Sequence, residues 1–166
     1  MDRQRLREVL DATELFRPAE IDVALELFDA AVGRANDDYH WLAAYDDGDR
    51  LIGAACWGAT PATEGTFDLY WILVDPEAQG AGVGSSLLSA VEESLRRDGA
   101  RLLLIETSGL PQYAPTRGFY RRRGYGEAQR IEDFYAPGDA RVTFVKRLAA
   151  GAVTAPPLTT HVEQRA

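Results

Sequence analysis

Hydrophobic positions along the chain change their period several times, and each change marks a predicted element. Leu6, Val9 and Leu10 recur at helical spacing behind Asp2, a suitable N-cap. A second helix is predicted from Pro18, whose fixed φ suits a first helical position, with Glu20 and Asp22 at the positive end of its dipole. Its apolar face is Ile21, Ala24, Leu25 and Phe28, and Gly33 ends it. The period then shortens. Residues 39–45 and 51–58 read as strands around the turn signal Asp46-Asp47-Gly48-Asp49. Residues 66–74 form a third apolar and aromatic run, stopped by Asp75-Pro76.

Helical spacing returns with Val83, Leu87, Leu88, Val91 and Leu95 on one face. Glu92 with Arg96 and Glu93 with Arg97 add i, i+4 pairs, and Gly99 caps the end. Residues 101–106 are a Leu- and Ile-rich strand, 116–123 a short helix ended by Gly124, and 142–145 the last strand. Residues 149–166 contain Pro156-Pro157 and no apolar periodicity, so a disordered tail is expected there. The order predicts one mixed α/β domain over residues 1–148, with 66–106 as a right-handed crossover.

Composition narrows the function. The chain has 166 residues, 46% of them hydrophobic, enough for a single core. A net charge of -8 argues against a nucleic-acid binder, whose footprint would be basic. No apolar run approaches the roughly 18 residues of a membrane span, and the N-terminus lacks the apolar stretch of a secretory signal. Cys56 is the only cysteine, which excludes an internal disulfide and suggests a reducing, cytoplasmic setting.

The densest chemical signal is Val74-Asp75-Pro76-Glu77-Ala78-Gln79-Gly80-Ala81-Gly82-Val83-Gly84-Ser85, between a strand and a helix. Glycines let backbone approach a ligand closely, and a helix N-terminus offers unpaired N–H groups to an anion. A Walker loop would need Lys after its last glycine, where Ser85 stands. A dinucleotide-binding fold would need a longer alternating series of strands and helices. The loop therefore predicts a pyrophosphate site of another kind.

Gln79-Gly80-Ala81-Gly82-Val83-Gly84 resembles the Gln/Arg-x-x-Gly-x-Gly/Ala pattern of the GNAT N-acetyltransferase family. Downstream, Phe119-Tyr120 followed by Gly124-Tyr125 resembles that family's second signature. The resemblance spans roughly residues 39–148. It implies a central, mostly antiparallel, splayed sheet flanked by helices, and acetyl-CoA as cosubstrate without a metal. It further implies pyrophosphate on the amides of Gln79, Gly80, Gly82, Val83, Gly84 and Ser85. Leu73 is the implied donor to the thioester carbonyl, with Val74 anchoring the pantetheine arm. Such a preformed donor stabilises a developing oxyanion. Tyr120 matches the general acid: a phenol stays protonated at neutral pH and can give its proton to the leaving thiolate. A homodimer is a further family expectation.

The base is left open between Asp68, an unfavourable residue in a strand, Glu106 at the next strand's end, and a water chain. Arg117, Arg121, Arg122 and Arg123 read either as ligands of CoA phosphates or as a solvated helix face. Tyr113, Phe134 and Tyr135 with Asp133 and Asp139 are candidates to line a pocket for a cationic amine. Cys56, among small apolar neighbours, reads as a buried hydrophobe, which favours direct attack over an acyl-enzyme. His40 and His161 form neither a triad nor a metal cluster. The acceptor expected is a small-molecule or peptide amine. Two other readings compete: an acyl-CoA-binding sensor without turnover, and a phosphate-binding domain of unrelated fold.

Overall fold

The structure is a computed structural model and describes residues 2–33, 38–148 and 162–164, the last three by backbone alone. Helix α1 (Arg3–Ala12) starts where Asp2 accepts a hydrogen bond from the Gln4 amide at 3.0 Å. Helix α2 (Pro18–Val32) starts where the Glu20 carboxylate accepts from the Arg17 amide at 2.8 Å. Strands β1 (His40–Tyr45) and β2 (Leu51–Ala59) flank a turn in which Asp46 accepts from the Gly48 and Arg50 amides. Then come β3 (Thr66–Val74), α3 (Val83–Arg97), β4 (Leu102–Ser108), α4 (Ala114–Arg122), β5 (Gly126–Ala136), β6 (Asp139–Arg147) and β7 (Val162–Gln164).

The strands form one sheet in the order β5-β6-β4-β3-β2-β1-β7. Only β3 and β4 run parallel; every other neighbouring pair is antiparallel. The sheet separates two cores. On one face α3 and α4 pack Leu87, Leu88, Val91 and Tyr120 against Ile105, Val142 and Phe144. On the other, α1 and α2 pack Leu6, Leu10, Leu25 and Phe28 against Trp41, Cys56 and Leu73. Burying apolar side chains on both faces gives roughly 1.5–3 kcal/mol for each large residue.

Three strands depart from the sequence expectation. The expected final strand, 142–145, is the buried middle of β6, which runs from Asp139 to Arg147. Strand β5 lies where no strand was expected, because its side chains are exposed on both faces and leave no alternation to read. Of the expected tail, 149–161 and 165–166 lie outside the described residues. Val162–Gln164 pairs antiparallel with Leu42, Ala43 and Ala44 of β1.

The feature that positions the site is where β3 and β4 part. Their pairing runs from Thr66↔Leu102 to Leu69↔Ile105 and stops there. Beyond that rung β3 stays on β2 as far as Val74, and β4 stays on β6 as far as Ser108. At the same level β3 carries a bulge: Leu69 opposes Trp57 and Trp71 opposes Cys56, so Tyr70 has no partner. A bulge bends its strand and raises local twist. The two strands diverge into an open wedge.

Candidate active site

The glycine turn closes the wide end of this wedge. Asp75, buried, accepts from the Glu77 amide at 3.0 Å and is bridged by Arg5 of α1, which fixes the turn after β3. Gly80 and Gly82 adopt positive φ of 81° and 87°, and a Cβ on either would meet nothing within 4 Å. Gly82 is the N-cap of α3 and brings no side-chain cap, so the helix's first amides are left to a ligand. A Cβ on Gly84 would lie 3.4 Å from Val74 and 3.8 Å from Phe119. The α3 N-terminus, the end of β3 and helix α4 therefore meet at one point. An open, uncapped cradle of this kind fits a pyrophosphate.

Arg123 stands beside the cradle, with its guanidinium 5.0 Å from the Phe119 ring. Its Nε is buried and lacks a hydrogen-bond partner. Two basic residues of α4 are engaged. Arg121 pairs with Glu127 at 2.7 Å. Arg117 donates to the Ser108 and Leu110 carbonyls at 2.7 and 2.9 Å, and burial lowers its pKa. It ties α4 to the end of β4.

Backbone direction corrects one expectation. The Asp75 amide donates to the Ile52 carbonyl at 2.8 Å, and a Cβ on Gly53 would sit 2.9 Å from the Leu73 carbonyl oxygen. Both observations turn the backbone of Asp75 and Leu73 toward β2. Backbone groups alternate sides along a strand, so Ile72 and Val74 face the wedge. Leu73, the sequence candidate for donor to the thioester carbonyl, points the wrong way because the bulge at Tyr70 sets the phase of the residues after it. Gln79 donates to the Val74 carbonyl at 3.4 Å.

Tyr120 lies on the α3 face of the sheet and is only 4% exposed. Its ring packs at 5.4 Å from Phe119, 5.9 Å from Tyr125 and 5.8 Å from Phe144. Its hydroxyl has no hydrogen-bond partner among the described residues, and burial pushes its pKa up. Behind it, the Tyr125 hydroxyl donates to Glu92 at 2.9 Å, and Lys146 and Arg96 each reach the same carboxylate at 2.8 Å. The Glu92–Arg96 pair was legible in the sequence, whereas Tyr125 and Lys146 join it from the turn after α4 and from β6 and were not.

The two carboxylate candidates lie on the opposite face. Asp68 pairs with Leu104 across β3 and β4, and Glu106 stands two residues further along β4, so all three share a side. Asp68 accepts from Thr60 Oγ1 at 2.6 Å and is half-buried. Glu106 directly follows the last β3–β4 rung, with Arg141 3.5 Å away. The wedge is thus bordered by a phenol on one face and carboxylates on the other.

The expected acceptor residues divide. The Tyr113 hydroxyl donates to the Leu15 carbonyl at 2.6 Å, drawing the α1–α2 connection toward the site. Phe134 lies over the Arg141 guanidinium at 4.2 Å. Burial raises the Tyr135 pKa, with a further contribution from Glu106, so Tyr135 neighbours that carboxylate. Asp139 accepts from the Ser108 hydroxyl. Asp133 accepts from the Gly138 amide at 2.6 Å and closes the β5–β6 turn. Cys56 is fully buried, and burial pushes its thiol pKa up. His40 stacks on Trp57 at 5.5 Å.

Known proteins share this architecture. The family model for acetyltransferases of the GNAT family matches residues 5–125. S-alkylcysteine N-acetyltransferase of Bacillus subtilis (strain 168) is 31% identical over 138 residues, covering 73% of this chain and 76% of that protein. S-(2-succino)cysteine N-acetyltransferase of the same organism is 29% identical over 69 residues, and that match spans 42% of the relative's length and 42% of this chain. A crystal structure assigned to the GNAT family, from Desulfovibrio desulfuricans, is 44% identical with a TM-score of 0.85, covering 89% of this chain and 93% of its own. The chain belongs to the acetyltransferase (GNAT) family.

Proposed function

We propose that the protein moves an acetyl group from acetyl-CoA to the primary amine of a small molecule by direct attack in a ternary complex. The observation that carries the reading is the wedge beyond Leu69 and Ile105. A glycine cradle closes its wide end, Tyr120 stands on one face, and Glu106 and Asp68 stand on the other.

The amides of residues 79–85 hold the pyrophosphate, and Arg123 adds a cation to the same cradle. The Val74 backbone anchors the pantetheine arm. The Ile72 amide, in place of Leu73, donates to the thioester carbonyl and stabilises the charge that develops there. As the amine forms its bond to the acyl carbon, the carbon–sulfur bond breaks and Tyr120 supplies the proton to sulfur. The amine's surplus proton leaves by Glu106 or Asp68, directly or through water. Cys56 is sealed in the core on the α1–α2 side, which supports direct attack over an acyl-cysteine.

The two Bacillus relatives are named for N-acetylation of S-substituted cysteines, which makes such amino acids the first acceptors to test. The same relatives favour turnover over a sensor role. A homodimer belongs to the proposal, supported by β5, an edge strand exposed along its length. A cytoplasmic setting rests on the lone buried thiol of Cys56. The test is a thiol-release screen with acetyl-CoA over amino acids, polyamines, peptides and aminoglycosides, with Tyr120→Phe as control. Absence of release above the rate of acetyl-CoA hydrolysis for every amine overturns the reading.

A further inference from the structure

Among the described residues, buried side-chain nitrogen or oxygen atoms without a hydrogen-bond partner are few, and two of them neighbour each other. They are Arg141 Nε and Thr143 Oγ1, two residues apart on β6. Register places both on one side of the sheet, with Arg141 opposite Ser108 and Thr143 opposite Glu106 of β4. That side is the carboxylate side of the wedge, away from Tyr120 and α3. A buried polar atom without a partner costs about 1–3 kcal/mol. Two such atoms beside a reactive carboxylate suggest that their partner arrives with a ligand.

The Arg141 guanidinium is held in place but not used up. Phe134 stacks on it at 4.2 Å, and its Nη1 lies 3.5 Å from Glu106, a loose pair with no hydrogen bond. The Nε edge is left over. An arginine offers parallel N–H groups along an edge, a geometry that matches a carboxylate. The side chain as a whole is 23% exposed with its Nε covered, and Glu106 beside it is 47% exposed. Arg17, near this side, already pairs with Glu20.

We infer that Arg141 receives the α-carboxylate of a free amino-acid acceptor while Glu106 faces its ammonium group. An α-amino acid carries its two charges on neighbouring atoms of one small framework. It can therefore replace the loose Glu106–Arg141 pair with two complementary ones. Thr143 stands ready with a hydroxyl for the same headgroup, and Phe134, 48% exposed, offers apolar surface beside it. Arg141 binds the acceptor and takes no part in proton transfer, so it sets specificity through KM. The inference rests on the acetyl-transfer reading and names the acceptor class within it.

The test uses the full chain with S-methylcysteine, its carboxamide and the amine that lacks the carboxyl group. Wild-type enzyme is expected to prefer the free acid over the carboxamide by about 100-fold in kcat/KM, the order expected when a buried charged donor loses its partner. Arg141→Met is expected to collapse that ratio toward one, chiefly through KM for the acid, and Arg141→Lys to restore part of it. Thermal shift with CoA reports folding and donor binding of each variant. Calorimetric binding of acid and carboxamide in the presence of CoA supplies a readout that needs no turnover. Equal affinity for the two overturns the assignment of Arg141 even if acetylation is robust. Preferential binding of the acid without any acetylation preserves the assignment and overturns the acetyl-transfer reading instead.

Discussion

Leu69 and Ile105 form the last rung between the only parallel strands of the sheet. The next residue on β3 is the unpaired Tyr70, and the next on β4 is Glu106. Strand pairing ends where the proposed chemistry begins, and the ends of β3 and β4 become the two walls of the site.

Tyr120 stands on the α3 side of that opening. Tyr120→Phe is expected to lower kcat by about 100-fold, a typical general-acid contribution, with the thermal shift from CoA retained. An unchanged kcat with normal donor binding removes the role.

Burial raises the pKa of Tyr120 and, together with the Glu92 charge, that of Tyr125. Both phenols stay neutral in the fold, so the unfolded chain releases their protons first as pH rises. Stability should be unaffected by them below about pH 10 and fall above it. Urea denaturation at pH 8 and pH 10.5 checks this, and Tyr125→Phe should flatten the decline.

Gly82→Ala places a methyl group in the cradle at a positive φ, where a side chain costs about 1–2 kcal/mol. The KM for acetyl-CoA should rise about 10-fold or more, since that strain is worth roughly one factor of ten, and the CoA thermal shift should shrink. Acceptor KM should change little.

Glu106 and Asp68 share a face, yet only Glu106 directly follows the rung. Glu106→Gln should reduce kcat/KM by about 100-fold, whereas Asp68→Asn should change it far less. The reverse pattern would assign the proton to Asp68, which Thr60 already holds at 2.6 Å.

Glu92→Ala leaves the Tyr125 hydroxyl, Lys146 and Arg96 without their shared acceptor. Removing one partner of a buried ion pair costs about 3 kcal/mol or more. Equilibrium denaturation should show this loss, and Tyr120 should lose activity with it through the displaced Tyr125 ring.

The sequence revealed what local rules control. Asp2, Pro18, Gly82 and Gly124 end or begin helices by their own conformational preferences, and the helices formed where those residues stand. The glycine cradle was legible for the same reason. What escaped depends on long-range geometry. Strand β5 has no apolar face to betray it. Nothing in residues 66–74 announces that Tyr70 lacks a partner, so which backbone groups of β3 face the wedge is not readable from the sequence. The Glu92 network joins residues far apart in the chain, and the orphaned Arg141 and Thr143 atoms appear only once β4 and β6 are in register.

The unpaired Tyr70 works as a miscount in an otherwise regular ladder. Deleting it would leave Leu69 opposite Trp57 and Trp71 opposite Cys56, so both flanks would keep their faces and both cores would stand. What would go is the bend in the strand. This one surplus residue should therefore tolerate many substitutions, while its removal should straighten β3 and cost the cleft rather than the fold.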